Sequence, residues 1–147
     1  MSCDFEFRYV NKYTVPDRFL MQNIDEVKLK VEKSNFISIF DGKSRYCQIK
    51  VCKENQWLTA FSTHDSLYEW MRLPFCMKNS EATFARAIQM ILKPIKINAE
   101  SYVHDMAVHS GAWHTHLRDI KRYLTAIRDS GLTLNLGKCE FGKNSVK

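Results

Sequence analysis

Residues 101–110 read SYVHDMAVHS. Apolar arms on either side of His104 and Asp105 predict two short strands joined in a hairpin. The elements around it give the hairpin its place in a fold. Upstream, Phe84, Ile88, Ile91 and Leu92 make one apolar face of a helix that Pro94 stops, with Asn79 or Ser80 available as its N-cap. Downstream, Trp113, Leu117, Ile120, Leu124 and Ile127 step by four, three, four and three, the spacing of an amphipathic helix, and Gly131 stands at its C′ position. FISIF at 36–40 is aromatic and β-branched, which predicts a strand buried on both faces and ending at Asp41-Gly42. LTLNL at 132–136 alternates and predicts a closing strand. From residue 36, with the excursion at 46–79 left out, the order is strand, helix, strand, strand, helix, strand. That is an α+β fold with a ferredoxin-like split βαβ core.

The surroundings are less regular. Ile24, Val27 and Val31 predict a short helix over 24–33. Residues 13–23, with Pro16 and Asp17, read as a loop. YCQIKV and WLTAFST predict two strands around the polar turn CKENQ.

A chain of 147 residues with 45% hydrophobic and 26% charged residues has enough apolar material for one domain's core. No run approaches the ~20 apolar residues that span a bilayer, and MSCDFEFRYV has no signal-peptide core, so the expectation is an intracellular protein, cytoplasmic or nuclear, with no membrane partner. Five scattered cysteines without a CxxC pair read as reduced thiols. A net charge of +6 favours acidic partners, nucleic acid first, although a solvated cationic surface gives the same balance.

In this fold Asp41 ends the first strand and the hairpin tip lies on a neighbouring one. Carboxylates on adjacent strand ends suit Mg²⁺ and phosphoryl transfer, whereas an acid after a strand is also an ordinary turn former. His104, His109, His114 and His116 raise the question of zinc. Against it, His109 belongs at the far end of its strand, and His114 and His116 point in different directions on a helix.

Five segments carry a resemblance. FRYVNKYTVPDRF, FDGKSRYCQI, YEWMRLPFCMKNSEATF, YVHD and GLTLNLGKCEFGK occur in the order and spacing of the reverse transcriptase domain of gypsy-type LTR retrotransposons, and more distantly of retroviruses. The likeness runs from about residue 5 to 147. It implies a polymerase palm (about 36–45 and 80–147) with partial fingers (about 1–35 and 46–79). It also implies RNA- and DNA-templated DNA synthesis with Mg²⁺, or Mn²⁺, on a template–primer and a dNTP. By the same resemblance Asp41 is the first-motif metal aspartate and Asp105 the second aspartate of YxDD. Tyr46 is the residue under the incoming sugar, Phe75 lines the nucleotide pocket, and Lys138 is the proposed proton donor to pyrophosphate.

The departures from that pattern carry a second expectation. His104 stands where the first YxDD aspartate belongs, so a neutral or cationic nitrogen replaces an anionic oxygen that Mg²⁺ prefers. The family usually has leucine and glycine where Gly42 and Arg45 stand, glycine where Cys76 stands and proline where Glu81 stands. The resemblance also implies a chain without the thumb, RNase H and integrase parts of a Pol polyprotein. The expected outcome is a reverse transcriptase palm fragment that does not polymerise. The alternative is a non-catalytic basic module that still touches nucleic acid.

Overall fold

A computed structural model describes residues 7–19, 23–95, 97–102 and 105–144. Cys3, Val103 and His104 therefore lie outside the described residues. Strands β1 (Phe36–Asp41), β2 (Phe61–Ser62), β3 (Leu67–Tyr68), β4 (Ala99–Tyr102), β5 (Asp105–Ser110) and β6 (Glu140–Lys143) combine with helices α1 (Arg8–Tyr13), α2 (Ile24–Glu32), α3 (Ser80–Leu92) and α4 (Trp113–Asp129). Two compact units divide the chain: Leu20–Lys43 with Ala85–Lys147, and Met1–Phe19 with Ser44–Phe84. Helix α2 belongs to the unit that holds the four-stranded sheet.

The first unit holds a four-stranded sheet in the order β4-β5-β1-β6. Every neighbouring pair is antiparallel. With α3 between β1 and β4 and α4 between β5 and β6, this is the split βαβ order expected from the sequence. The two arms pair antiparallel as β4 and β5, with Tyr102 opposite Asp105. Alternation along the strands gives the sheet two different faces. Phe40 is fully buried and stacks on Tyr123 of α4 at 4.4 Å. The Tyr123 hydroxyl donates to Met106 Sδ, Ser38 Oγ meets His116 Nε2 at 2.9 Å, and Ser110 Oγ donates to Asp119 at 3.4 Å. Phe36, Ser38, Phe40, Met106, Val108 and Ser110 therefore face α4. Ile37, Ile39, Asp41, Asp105, Ala107 and His109 face the other way.

Helix α4 corrects one expectation. Its buried positions are His116, Asp119, Tyr123 and Ile127, whereas Trp113 and Leu117 are half exposed. Two polar side chains turn inward where serines on β1 and β5 offer them hydrogen bonds in the core, so of the apolar stripe Ile127 is buried and Ile120 and Leu124 are half-buried. The end of α4 follows the sequence reading. Gly131 has φ +76°, its N–H reaches the Arg128 carbonyl, and the Leu132 N–H reaches the Ile127 carbonyl, which is a Schellman motif. Helix α3 likewise ends at Leu92, before the 3-10 turn Lys93–Ile95 that contains Pro94.

LTLNL is not a regular strand. It makes one bridge, Gly42 to Leu134, then enters the 3-10 turn Leu136–Lys138, and the closing strand begins at Glu140. Pairing of β6 shifts register between Ile37 and Ile39, where Gly142 adopts φ +60°.

In the second unit YCQIKV and WLTAFST each begin in a 3-10 turn, Arg45–Gln48 and Lys53–Thr59; Phe61–Ser62 pairs with Leu67–Tyr68, and Lys50 makes a single bridge to Arg72. Ile49 and Val51 bond instead to Leu73 and Met71. Thr59 holds the turn closed by donating to the Gln56 carbonyl and accepting from the Trp70 N–H. Asn79 precedes α3, but its side chain is not a cap; it bonds Asp17 N–H and the Val15 carbonyl. The reading of all cysteines as thiols is also corrected. Cys76 is disulfide-bonded, while Cys47, Cys52 and Cys139 are free. No helix among the described residues is long and apolar enough to cross a membrane.

Candidate functional site

Asp41 closes β1 and Asp105 opens β5, and the antiparallel register sets them directly opposite each other. Both belong to the sheet face that α4 leaves open. Asp41 is 5% exposed and Asp105 is exposed. Like charges placed so are mutually repulsive, typically at a cost of ~0.2–1 kcal/mol. A cation stands close by. The Asn135 N–H donates to the Asp41 carbonyl, the Lys43 N–H donates to the Thr133 carbonyl, and the chain then turns through Leu136–Lys138. That turn brings Lys138 Nζ to 3.8 Å from Asp41 Oδ2. The break in the expected strand is thus what carries Lys138 to the carboxylates.

The donor set fits a hard divalent cation. Mg²⁺ takes oxygen ligands, and one or two protein carboxylates with substrate phosphates and water commonly complete its shell. Among the described residues no three His, Cys, Asp or Glu side chains converge on a metal position. His104, adjacent to Asp105 in sequence, lies outside them.

Tyr46 and Phe75 come together in the other unit. Their rings meet edge to face at 5.6 Å, and Phe84 adds a second edge contact to Tyr46 at 6.0 Å. Burial raises the Tyr46 phenol pKa, Glu81 raises it further, and Arg45 opposes them, so the hydroxyl stays protonated at neutral pH. Cys76, beside Phe75, has φ +69°, a conformation that suits glycine and strains a residue with a Cβ. Asn11 braces this loop by donating to the Cys76 carbonyl and accepting from the Lys78 N–H.

Sequence reasoning missed the buried polar groups behind the site. Ser34 Oγ lies 2.8 Å from His109 Nδ1, and Lys30 Nζ reaches Glu100 at 2.9 Å. Glu100 and His109 are both nearly buried. Burial pulls the His109 pKa down; Glu100 pushes it up and Lys30 again down. His116 is also lowered, first by burial, with Asp119 opposing and His109 assisting. Polar residues inside a strand or a helix face give no periodic signal, so their burial was not legible. His109 and His116 lie on opposite faces of the sheet and His114 is exposed. These three imidazoles do not converge.

All 147 residues, 1–147, match the family described as reverse transcriptase (RNA-dependent DNA polymerase). The chain belongs to the reverse transcriptase family. It is 36% identical over 143 residues to the retrovirus-related Pol polyprotein from transposon 297 of Drosophila melanogaster, covering 96% of this chain and 13% of that protein. The gypsy transposon Pol polyprotein of the same organism is 32% identical, with 97% and 14% covered. This reverse transcriptase domain therefore spans about one-seventh or less of the length of those relatives. A foamy viral protease–reverse transcriptase solved in complex with double-stranded DNA superposes with a TM-score of 0.85 at 24% identity, over 95% of this chain and 24% of that one. A second, in complex with an RNA/DNA hybrid, gives 0.83 at 24% identity, over 92% and 18%. The α+β fold assigned from the sequence is thereby the reverse transcriptase fold.

Proposed function

We propose that this domain is the palm, with part of the fingers, of a retrotransposon reverse transcriptase whose nucleotidyl transfer is silenced at His104. The sheet unit corresponds to the palm and the unit containing Tyr46 and Phe75 to the partial fingers. The observation that carries the reading is the register pair Asp41–Asp105 beside Lys138. Asp41 and Asp105 would hold Mg²⁺, or Mn²⁺. When bound, such ions supply charge neutralisation for in-line attack on a nucleotide phosphate. The side chains themselves do the rest. Lys138 balances the buried Asp41 charge and stands ready as a proton donor to a leaving oxygen. Tyr46, braced by Phe75 and Phe84, offers a flat protonated ring against a deoxyribose. An imidazole at position 104 takes a negative oxygen away from the cation, and ~4 kcal/mol lost in the transition state is roughly a thousandfold in rate.

Primer extension on an RNA template with Mg²⁺ tests this. The wild-type chain is expected to give none, and His104→Asp to recover synthesis together with calorimetric Mg²⁺ binding. Extension by the wild type refutes the silencing. Failure of the variant in both readouts refutes its assignment to His104. The net charge of +6 supports a second reading, a non-catalytic module that holds nucleic acid. On that reading affinity falls steeply with salt and shows little sequence preference; salt-independent binding refutes it.

A further inference from the structure

The face of α4 turned away from the sheet carries a groove of about 390 Å³, closed on its other side by Ile95 of the 3-10 turn after α3. Ile95 and Ala126 line it together with Arg118, Lys121, Arg122 and Thr125. Positions 118, 121 and 122 are spaced to share one helical side, and all three are exposed. Asp129 closes one end, but its carboxylate is already held by Arg128 at 2.9 Å. The groove therefore presents Lys121 and Arg122, with Arg118 shared with Asp119 at 3.6 Å, beside Ile95 and Ala126, and its described anion is paired with Arg128.

Two features decide the kind of partner. Among the described residues no aromatic ring lines the groove, so they offer no platform on which a nucleic-acid base stacks. It also lies across the sheet from Asp41 and Asp105, since α4 covers the opposite face. Apolar residues beside cations complement a chain that alternates carboxylates with aliphatic side chains. The volume accepts one or two such side chains. We propose that the α4 groove is a docking site for an acidic peptide segment of a partner protein, which inserts an aliphatic side chain over Ile95 and Ala126 and pairs its carboxylates with Arg118, Lys121 and Arg122.

Fluorescence anisotropy with the 147-residue chain tests this using labelled peptides of alternating glutamate and leucine, of glutamate and serine, and a labelled single-stranded DNA. The glutamate–leucine peptide is expected to bind, and Arg118→Glu/Arg122→Glu to weaken it about tenfold or more. Serine in place of leucine is expected to weaken it as well, and DNA binding to change by less than the peptide's. Circular dichroism checks that the variant is folded; Arg118→Gln/Arg122→Gln replaces it otherwise. The proposal is overturned by no peptide binding, by equal binding of the serine peptide, or by peptide affinity unmoved in the variants. A loss of DNA binding as large as the peptide's also overturns it, because the groove is then a nucleic-acid surface.

Discussion

Ser38→Ala is expected to loosen the sheet at the point where three elements meet. Ser38 is fully buried on β1. Its Oγ lies 2.9 Å from His116 Nε2 on α4 and accepts the Gly142 N–H of β6 at 3.0 Å. Oγ has a second lone pair besides the one that accepts from Gly142, so the bond to Nε2 forms with either imidazole tautomer. Nδ1 is itself buried without a hydrogen-bond partner. Alanine leaves both ring nitrogens and the Gly142 N–H unmet. A buried group stranded in this way costs about 1–3 kcal/mol. Gly142 is only half buried, so water relieves part of its share, and the total comes to about 2–4 kcal/mol. At about 3 kcal/mol the melting temperature falls by roughly 6–12 °C for a domain of this size. Urea denaturation followed by circular dichroism reads the loss as a lower midpoint at unchanged slope. Removing both polar partners in Ser38→Ala/His116→Leu is expected to cost less than the two single changes summed, by about 1 kcal/mol or more. The reasoning fails if Ser38→Ala stays within about 0.5 kcal/mol of wild type. It fails equally if the single effects simply add.

Other changes probe separate parts of the fold. Gly142→Ala places a Cβ 3.1 Å from the Trp113 ring at φ +60°, and is expected to lose about 1–3 kcal/mol in the same urea assay. His109 and His116 both have folded pKa values below the usual 6.5, with burial the first cause of each. Their contribution to stability is therefore complete above pH 6.5 and is lost as pH falls from there through the folded values. Melting temperatures taken downward from neutral pH should decline, and less steeply in His109→Gln; an equal slope refutes the assignment. Asp105→Asn relieves the repulsion with Asp41 and is expected to raise stability by ~0.2–1 kcal/mol; a loss would show that the pair is not repulsive.

Much of this was legible in the sequence. FISIF was read as a strand because aromatic and β-branched residues fit a sheet interior, and Pro94 and Gly131 ended their helices for reasons of backbone geometry alone. The motif order pointed to the reverse transcriptase family, which the family match and the relatives bear out. What escaped the reading depends on tertiary partners. The apolar stripe of α4 suggested Trp113 and Leu117 for the core, but His116 and Asp119 turn inward there, bonded to Ser38 and Ser110. The alternation of LTLNL matched a strand, yet a 3-10 turn follows it and brings Lys138 to Asp41. Likewise Tyr46 and Phe75 are far apart in sequence, and Tyr46 meets Phe75 from a 3-10 turn where a strand was expected.

The two faces of the sheet divide its labour, and that division has an evolutionary side. The contacts with α4 fasten β1 and β5 through Phe40, Met106 and Ser38, and none of them involves Asp41 or Asp105. That packing runs through other side chains, and like charges set opposite each other at the strand ends add nothing to it. A lineage released from selection for copying is therefore free to shed its acids while keeping its shape, with stability drifting upward as it does so. In such a lineage architecture outlasts activity, and the carboxylate face is where decay is first written.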